Sequence, residues 1–153
     1  GNMGSKEIFD YTVIGNEVNL CSRLEAVNKD FGTRIAVSES AYNEVKRSHP
    51  DKFVFRRMAR ILLKGSATPL NVYELTGWRG SIDNNRLDAI EKYEKGFSLF
   101  MERRLTEAER LFMEAIEKDQ SDALSKTYLS LIAYYKENPV PPDWDGTYVQ
   151  RTK

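Results

Sequence analysis

The sequence predicts an α+β fold for its first half and an all-α unit for its second half. Aromatic and β-branched stretches alternate with helical periodicities up to about residue 78. Strand signals are then missing as far as Asn138, and helical spacing takes their place. The expected order is β-α-β-α-β-β-β over residues 1–78, a linker at 79–85, and then three helices.

The first half carries start and stop signals for its elements. Gly32 follows the first helical stretch, as glycine often does at the C-terminus of a helix. Ser38 is a good N-cap for the second helix, with Glu39 in its first turn and basic residues in its last. The predicted elements are strands at 11–14, 34–37 and 70–78, one or two strands within 53–65, and helices at 16–29 and after Ser38.

The second half is predicted to form helices at about 84–102, 105–118 and 122–137. Relative to Gly96, small or aromatic residues follow at offsets of 12, 16 and 19. This spacing resembles the tetratricopeptide pattern, in which a small residue lets two helices approach and an aromatic fills the groove between them. Only one full repeat and one further helix are present, and Gln120 stands where that family often has proline. The resemblance implies a tetratricopeptide-like unit at 86–137.

The tail at 138–153 has a different composition from the helices before it. Three of the four residues from 139 to 142 are proline, which favours an extended segment with polyproline character. Trp144 and Tyr148 are large enough to pin this segment onto the folded body by burying apolar surface. We therefore expect an extended tail that packs on the surface.

Composition excludes several classes of function. Lys and Arg total 23 and Asp and Glu total 23, so no net field favours a nucleic acid or a membrane surface. The single cysteine, Cys21, excludes an intrachain disulfide and a cysteine-rich metal site, and the single His49 excludes imidazole pairs. No apolar run approaches the roughly 18 residues that a membrane helix needs. No signal peptide is visible, so we expect a cytoplasmic protein.

The stretch from Gly15 to Arg23 carries the functional signal. It has the pattern G-N-x-V-N-x-x-x-R, and a K-G pair follows at Lys64. In order and spacing, residues 1 to about 75 resemble the C-terminal half of the class III nucleotidyl cyclase catalytic domain. The resemblance covers about half of the chain. It implies a truncated ferredoxin-like domain and the conversion of ATP into cyclic AMP and pyrophosphate.

The resemblance also assigns roles to individual residues. Asn19 would orient the ribose, and Arg23, one helical turn away, would stabilise charge on the α-phosphate. Thr12 would accept the adenine amino group, which favours ATP over GTP, and Lys64 would bind the β- and γ-phosphates. The alternatives are that Asn19 and Arg23 are solvated helix residues, that Thr12 is an ordinary strand residue, and that Lys64 is a solvated lysine at a strand end.

The resemblance implies further groups that this sequence does not match. Members of the family bind two Mg²⁺ or Mn²⁺ ions through two aspartates on earlier strands, where a base-reading lysine also lies. Those strands have no counterpart here, and in the family a second subunit faces the Asn, Arg and Lys set. We therefore expect part of a longer, dimeric adenylate cyclase that is inactive alone and whose truncated sheet has an unpaired edge.

A second hypothesis comes from a different class of function. The chain would be a catalytically silent, cyclase-derived module for dimerisation or protein interaction, in which the helical unit recruits a protein partner. The retention of Asn19, Arg23 and Lys64 favours the enzyme, because no structural need accounts for all three.

Overall fold

The computed structural model describes Leu20 and residues 23–150, and it confirms the α+β class. The strand predicted at 11–14 lies outside these residues, as do Thr12 and Asn19. A short 3₁₀ turn, Arg79–Ser81, connects the last strand of the first half to the helices. The helices are α1 (residues 23–31), α2 (Glu39–Ser48), α3 (Asn84–Met101), α4 (Leu105–Lys118) and α5 (Ala123–Glu137); the strands are β1 (Ala36–Ser38), β2 (Phe53–Leu62), β3 (Leu70–Trp78) and β4 (Tyr148–Val149).

The local signals in the first half act as predicted. The Ser38 hydroxyl accepts a hydrogen bond from the Ala41 N–H at 3.2 Å and so caps α2. Gly32 follows α1 with a φ of +72°, a left-handed conformation that glycine adopts without steric cost. The sequence leaves open whether the stretch 53–65 contains one strand or two, and the structure has the single strand β2 there.

The four strands form one sheet in the order β1-β3-β2-β4. β3 lies between β1 and β2 and is antiparallel to both. β4 comes from the tail and pairs in parallel with the end of β2, through Ile61 with Tyr148 and Leu62 with Val149. The sequence predicted an extended tail, and its pairing with the sheet is a finding of the structure.

A bulge in β2 connects the sheet to the helices. The register with β3 shifts between Arg57 and Ala59, which leaves Met58 as an extra residue without a partner on β3. Its carbonyl instead accepts hydrogen bonds from the hydroxyls of Tyr128 at 2.6 Å and Tyr93 at 3.4 Å. Side chains of α5 and α3 therefore satisfy a backbone group that the bulge removes from the ladder.

Part of the outer edge of β2 is also covered, by a side chain of α3 and by the backbone of the tail. The Arg57 N–H donates to a Glu94 carboxylate oxygen of α3 at 2.6 Å. The Leu62 carbonyl accepts from the Gln150 N–H at 3.0 Å. At these positions of β2, a helix and the tail take hydrogen bonds that a neighbouring strand would take, while the expectation of an unpaired edge stays a prediction for the rest of the sheet. Within the described residues, β1 is the terminal strand on the other side of the sheet.

One apolar core joins the sheet and the helices. Gly96 of α3 faces α4 so closely that a Cβ would lie 3.0 Å from Cε1 of Phe112, so the small residue is required there. This contact is the one expected of the predicted helical pair, while its tetratricopeptide-like assignment and the division at residues 78 and 86 stay predictions. Within the described part of the chain, no helix has the length and apolarity needed to cross a bilayer. Members of the core include Val27, Phe31, Met58, Ile61, Val72, Tyr93, Phe97, Phe112, Tyr128 and Ile132.

Candidate functional site

Arg23 lies on the solvent side of α1. The opposite side of this helix is apolar, and Leu24, Val27 and Phe31 are at most 6% exposed because they pack into the core. This amphipathic pattern turns the Arg23 side chain toward solvent. Glu25 is exposed as well. The family resemblance assigns its carboxylate no metal-binding role.

Lys64 lies in the turn that connects β2 to β3 and is exposed. Gly65 follows it with a φ of +83°, and the Ser66 N–H donates to the Leu63 carbonyl at 2.9 Å to close the turn. The Lys64 N–H itself donates to Oε1 of Gln150 at 3.1 Å. The backbone of this residue is therefore held, while its ammonium group extends into solvent.

The two basic side chains share one property. Within the described residues, neither Arg23 nor Lys64 forms an ion pair or a side-chain hydrogen bond. A guanidinium or ammonium group without a carboxylate partner keeps its donors available for phosphate oxygens. The structure thus leaves both side chains available, and it does not test the roles predicted for them or for Thr12 and Asn19.

A depression connects α1 with the loop that carries Lys64. This cavity of about 280 Å³ opens between the helix and the beginning of β3, close to the N-terminus of α2. Its lining combines apolar side chains with hydroxyl, amide and carboxylate groups. The lining residues are Leu20, Leu24, Ser38, Glu39, Ser40, Pro69, Leu70, Asn71 and Val72.

The described part of the chain contains no cluster of three or more metal-binding side chains. Over Leu20 and residues 23–150, no three His, Cys, Asp or Glu side chains come together as a group that would hold an ion. Divalent ions such as Mg²⁺ need several oxygen ligands that converge on one point.

A buried charge cluster lies at the junction between the sheet and the helices, and the sequence analysis missed it. Arg56 of β2 is 2% exposed, and its guanidinium donates to Glu74 at 2.9 Å and to both carboxylate oxygens of Asp122 at 3.0 and 2.7 Å. The ring of Tyr93 lies 4.6 Å from its guanidinium carbon. Buried and half-buried positions alternate along β2, and this alternation places position 56 on the inner face. A charged residue at an inward-facing position is the sequence signal that could have revealed the cluster.

Neighbouring groups complete this cluster. The Ser125 hydroxyl donates to Asp122 at 2.6 Å, and Arg86 pairs with Asp119 at 2.9 Å. Burial by itself raises the pKa of Asp122, but hydrogen bonds and charge from Arg56 outweigh it and lower the pKa below its ordinary value. Because each of the three guanidinium nitrogens of Arg56 already donates to a carboxylate, we interpret the cluster as a structural junction and not as a binding site.

Comparison with known proteins finds similarity to three adenylate cyclases. Adenylate cyclase 1 of Rhizobium meliloti (strain 1021) is 39% identical over 77 residues, which cover 50% of this chain and 11% of that protein. The adenylate cyclase of Anabaena cylindrica is 33% identical over 76 residues, 49% of this chain and 15% of that protein. The terminal-differentiation specific adenylate cyclase of Dictyostelium discoideum is 26% identical over 130 residues, 84% of this chain and 6% of that protein.

These similarities differ in how much of the chain they include. The first two cover about half of it, whereas a match to 84% of the chain must include parts of both the sheet and the helices. The chain spans at most 15% of the length of these relatives. No protein family model matches the chain, and no solved structure matches it. The similarities support a cyclase domain.

Proposed function

We propose that this chain is one wall of the active site of a class III adenylate cyclase, which converts ATP into cyclic AMP and pyrophosphate. The observation that carries the proposal is the stretch from Gly15 to Arg23 together with Lys64, in a chain that is 39% identical to an adenylate cyclase over 77 residues. The exposure of Arg23 and Lys64 without carboxylate partners in the described residues supports it.

The reaction is an intramolecular phosphoryl transfer. The ribose 3′-oxygen forms a bond to the α-phosphorus, and the bond from that phosphorus to the α,β-bridging oxygen breaks. Pyrophosphate leaves with the bridging oxygen, and the proton of the 3′-hydroxyl passes to solvent water. Negative charge grows on the α-phosphate oxygens and on the leaving pyrophosphate, so catalysis depends on positioning and electrostatic stabilisation. In this proposal Arg23 donates to the α-phosphate oxygens and Lys64 holds the β- and γ-phosphates.

Two residues outside the described part of the chain complete this wall. Asn19 precedes Arg23 by four residues, a spacing that corresponds to one turn in a helix, and its amide would orient the ribose. Thr12 would accept a hydrogen bond from the adenine amino group, and this is the basis for preferring ATP to GTP.

The other wall must come from elsewhere in the complete domain. Two Mg²⁺ or Mn²⁺ ions, when bound there, would neutralise phosphate charge and activate the attacking oxygen. Their aspartate ligands and the base-reading lysine would lie upstream of this chain and face it from a second subunit. We therefore propose that residues 1–153 are inactive alone and that the native enzyme is a homodimer.

The runner-up is a catalytically silent interaction module, and the structure bears on it through the helices. Tyr93 of α3 and Tyr128 of α5 both contact the Met58 carbonyl, so these helices turn one face toward the chain's own sheet. A protein partner would have to bind the outer faces of the helices. Because the chain's own sheet already occupies one face of these helices, we prefer the enzyme to the interaction module.

The test is cyclic nucleotide production by the chain extended upstream through its native sequence, from ATP and from GTP with Mn²⁺. Arg23→Ala should lower kcat by about 100-fold or more, as expected when a donor to the developing charge is lost. Arg110→Ala, at an exposed position of α4, is the matched control and should retain activity. Absence of product from a folded, dimeric extended chain would favour the silent module.

A further inference from the structure

Residues 144–150, here called the strap, cross the surface from the helices to the end of β2. At its beginning, the Trp144 ring packs against Phe100 and Tyr135 with centroids 5.3 and 5.2 Å apart. The Trp144 indole N–H donates to the Thr147 carbonyl at 3.0 Å. These contacts anchor the strap on α3 and α5 before it reaches the sheet.

At its other end, the strap holds the backbone next to Lys64. The Gln150 N–H donates to the Leu62 carbonyl at 3.0 Å, and its side-chain Oε1 accepts from the Lys64 N–H at 3.1 Å. Gln150 thus forms hydrogen bonds with the backbone of Leu62 and of Lys64, the residues on either side of Leu63. Gln150 is only 4% exposed.

Burial of the Gln150 side-chain amide has a cost in folding free energy. Its Nε2 is buried and finds no hydrogen-bond partner among the described residues. A methionine of similar size would avoid that cost, since a buried unsatisfied donor is unfavourable. The amide is therefore explained by what its oxygen does, which is to accept from Lys64.

The strap also contacts the helix that carries Arg23. The ring of Tyr148 meets the ring of Phe31, at the end of α1, edge-on at 5.0 Å. Tyr148 pairs with Ile61 of β2, two residues before the Lys64 turn begins. A single short segment thus joins α1 to the turn.

We infer that the strap positions the Lys64 turn relative to α1 for triphosphate binding, with Gln150 as the positioning residue. The inference rests on the proposed function, because it takes Lys64 as the phosphate-binding group. The turn itself buries little, since Lys64 and Gly65 are both exposed, so its position depends on a few hydrogen bonds. Small displacements of a binding group lower the rate of a reaction that works by positioning.

The first part of the test uses residues 1–153 and does not depend on catalysis. Gln150→Met removes the acceptor and keeps the volume, and it should speed amide hydrogen exchange at Lys64 by about tenfold. Gln120→Met, the same exchange at an exposed position between α4 and α5, is the matched control and should leave the rate unchanged. An unchanged rate at Lys64 in Gln150→Met overturns the inference.

The second part uses the extended chain and steady-state kinetics with ATP. Gln150→Met should raise KM about threefold to tenfold with a smaller change in kcat, and Lys64→Ala should raise it further. In the Lys64→Ala background, Gln150→Met should add less than about twofold, because both changes act on one interaction. Effects that multiply fully in the double variant would overturn the positioning role.

The two proposals fail in different ways. If Lys64→Ala leaves KM and kcat unchanged, the proposed role of Lys64 is wrong and the inference falls with it. If Lys64→Ala impairs the enzyme but Gln150→Met, with faster exchange at Lys64, has no kinetic effect, the proposed function stands and only the positioning role is overturned.

Discussion

The helix α1 and the strand β2 each present an arginine, and the two regions use it in opposite ways. Arg23 is exposed and has no ion-pair partner among the described residues. Arg56 is 2% exposed and donates to two carboxylates while its guanidinium lies over an aromatic ring. The same side chain is available for an anionic ligand in one region and fully used by the fold in the other.

The difference shows what to look for in a candidate phosphate site. A buried guanidinium with satisfied donors has no capacity left for a ligand, and removing it leaves buried carboxylates without a partner. An exposed guanidinium contributes little to stability, so it is free to serve a function. The predictions that follow test this contrast and then the junction that surrounds Arg56.

The largest effect is expected from Arg56→Ala. This variant leaves the buried carboxylates of Glu74 and Asp122 with only the more distant guanidinium of Arg86 as a cation among the described residues, at 3.8 and 3.7 Å, and the free energy of unfolding should fall by about 3–5 kcal/mol. Arg23→Ala should leave it almost unchanged, as exposed substitutions away from special features usually do. Urea unfolding of residues 1–153 measures both.

A double variant sharpens this result. Replacing the pair together, as Arg56→Met with Asp122→Leu, leaves fewer uncompensated charges than Arg56→Ala alone. It should therefore be less destabilised than the single variant. Equal losses from Arg56→Ala and Arg23→Ala would contradict the contrast between the two regions.

The next effect is the pH dependence of the Asp122 contribution. Because the pKa of Asp122 is lowered from its ordinary 3.8, its contribution is fully present above that pH and is lost as the pH falls through the lower folded pKa. At neutral pH, Asp122→Asn should lower the free energy of unfolding by about 1.5–3 kcal/mol, the range for a hydrogen bond to a charged group.

The measurement is the difference in unfolding free energy between the native chain and Asp122→Asn. It should be constant from about pH 7 to pH 5 and should shrink below about pH 4, where the unfolded carboxylate takes up a proton first. A difference that stays constant down to pH 2 would show that the Asp122 charge does not stabilise the junction.

A smaller effect is expected where α3 covers the edge of β2. Glu94→Ala removes the acceptor of the Arg57 N–H and should lower the free energy of unfolding by about 1–2 kcal/mol. The exposed edge should also promote self-association, detectable by sedimentation. Glu91→Ala on the same helix is the control, since within the described part of the chain its one ion pair is with the exposed Lys95. Equal losses from both variants would argue against edge covering.

The smallest effect is a gain. Arg103, between α3 and α4, has a φ of +66°, which is strained for a residue with a Cβ. Arg103→Gly should therefore raise the free energy of unfolding by about 0.5 kcal/mol. Arg103→Ala keeps the Cβ and should bring no gain. A thermal melt of the two variants distinguishes relief of this strain from loss of the arginine side chain.

The sequence predicted what depends on local pattern. Ser38 and Gly32 delimit their helices as expected, and the three later helices begin and end within two residues of the predicted bounds. Local signals suffice here because capping, left-handed turns and amphipathic spacing act within one or two helical turns.

The sequence analysis missed what depends on distant partners. Arg56 finds Glu74 18 residues away and Asp122 66 residues away, and no short pattern connects these three positions. The pairing of β4 involves two residues on each strand, too few to leave a periodic signal. Of the candidate site, the exposure of Arg23 and Lys64 is described, while the roles of Thr12, Asn19, Arg23 and Lys64 stay predictions.

The covered edge of β2 has a consequence for synthesis on the ribosome. The strap closes the end of this edge where Tyr148 and Val149 pair with β2, and a side-chain hydrogen bond between Arg60 and Thr147 beside it joins residues 87 positions apart. At a synthesis rate of about 5–20 residues per second, several seconds pass between the synthesis of β2 and that of the strap. During that interval the nascent sheet exposes unpaired backbone groups, so slow translation or truncation before the strap should favour aggregation of the nascent chain.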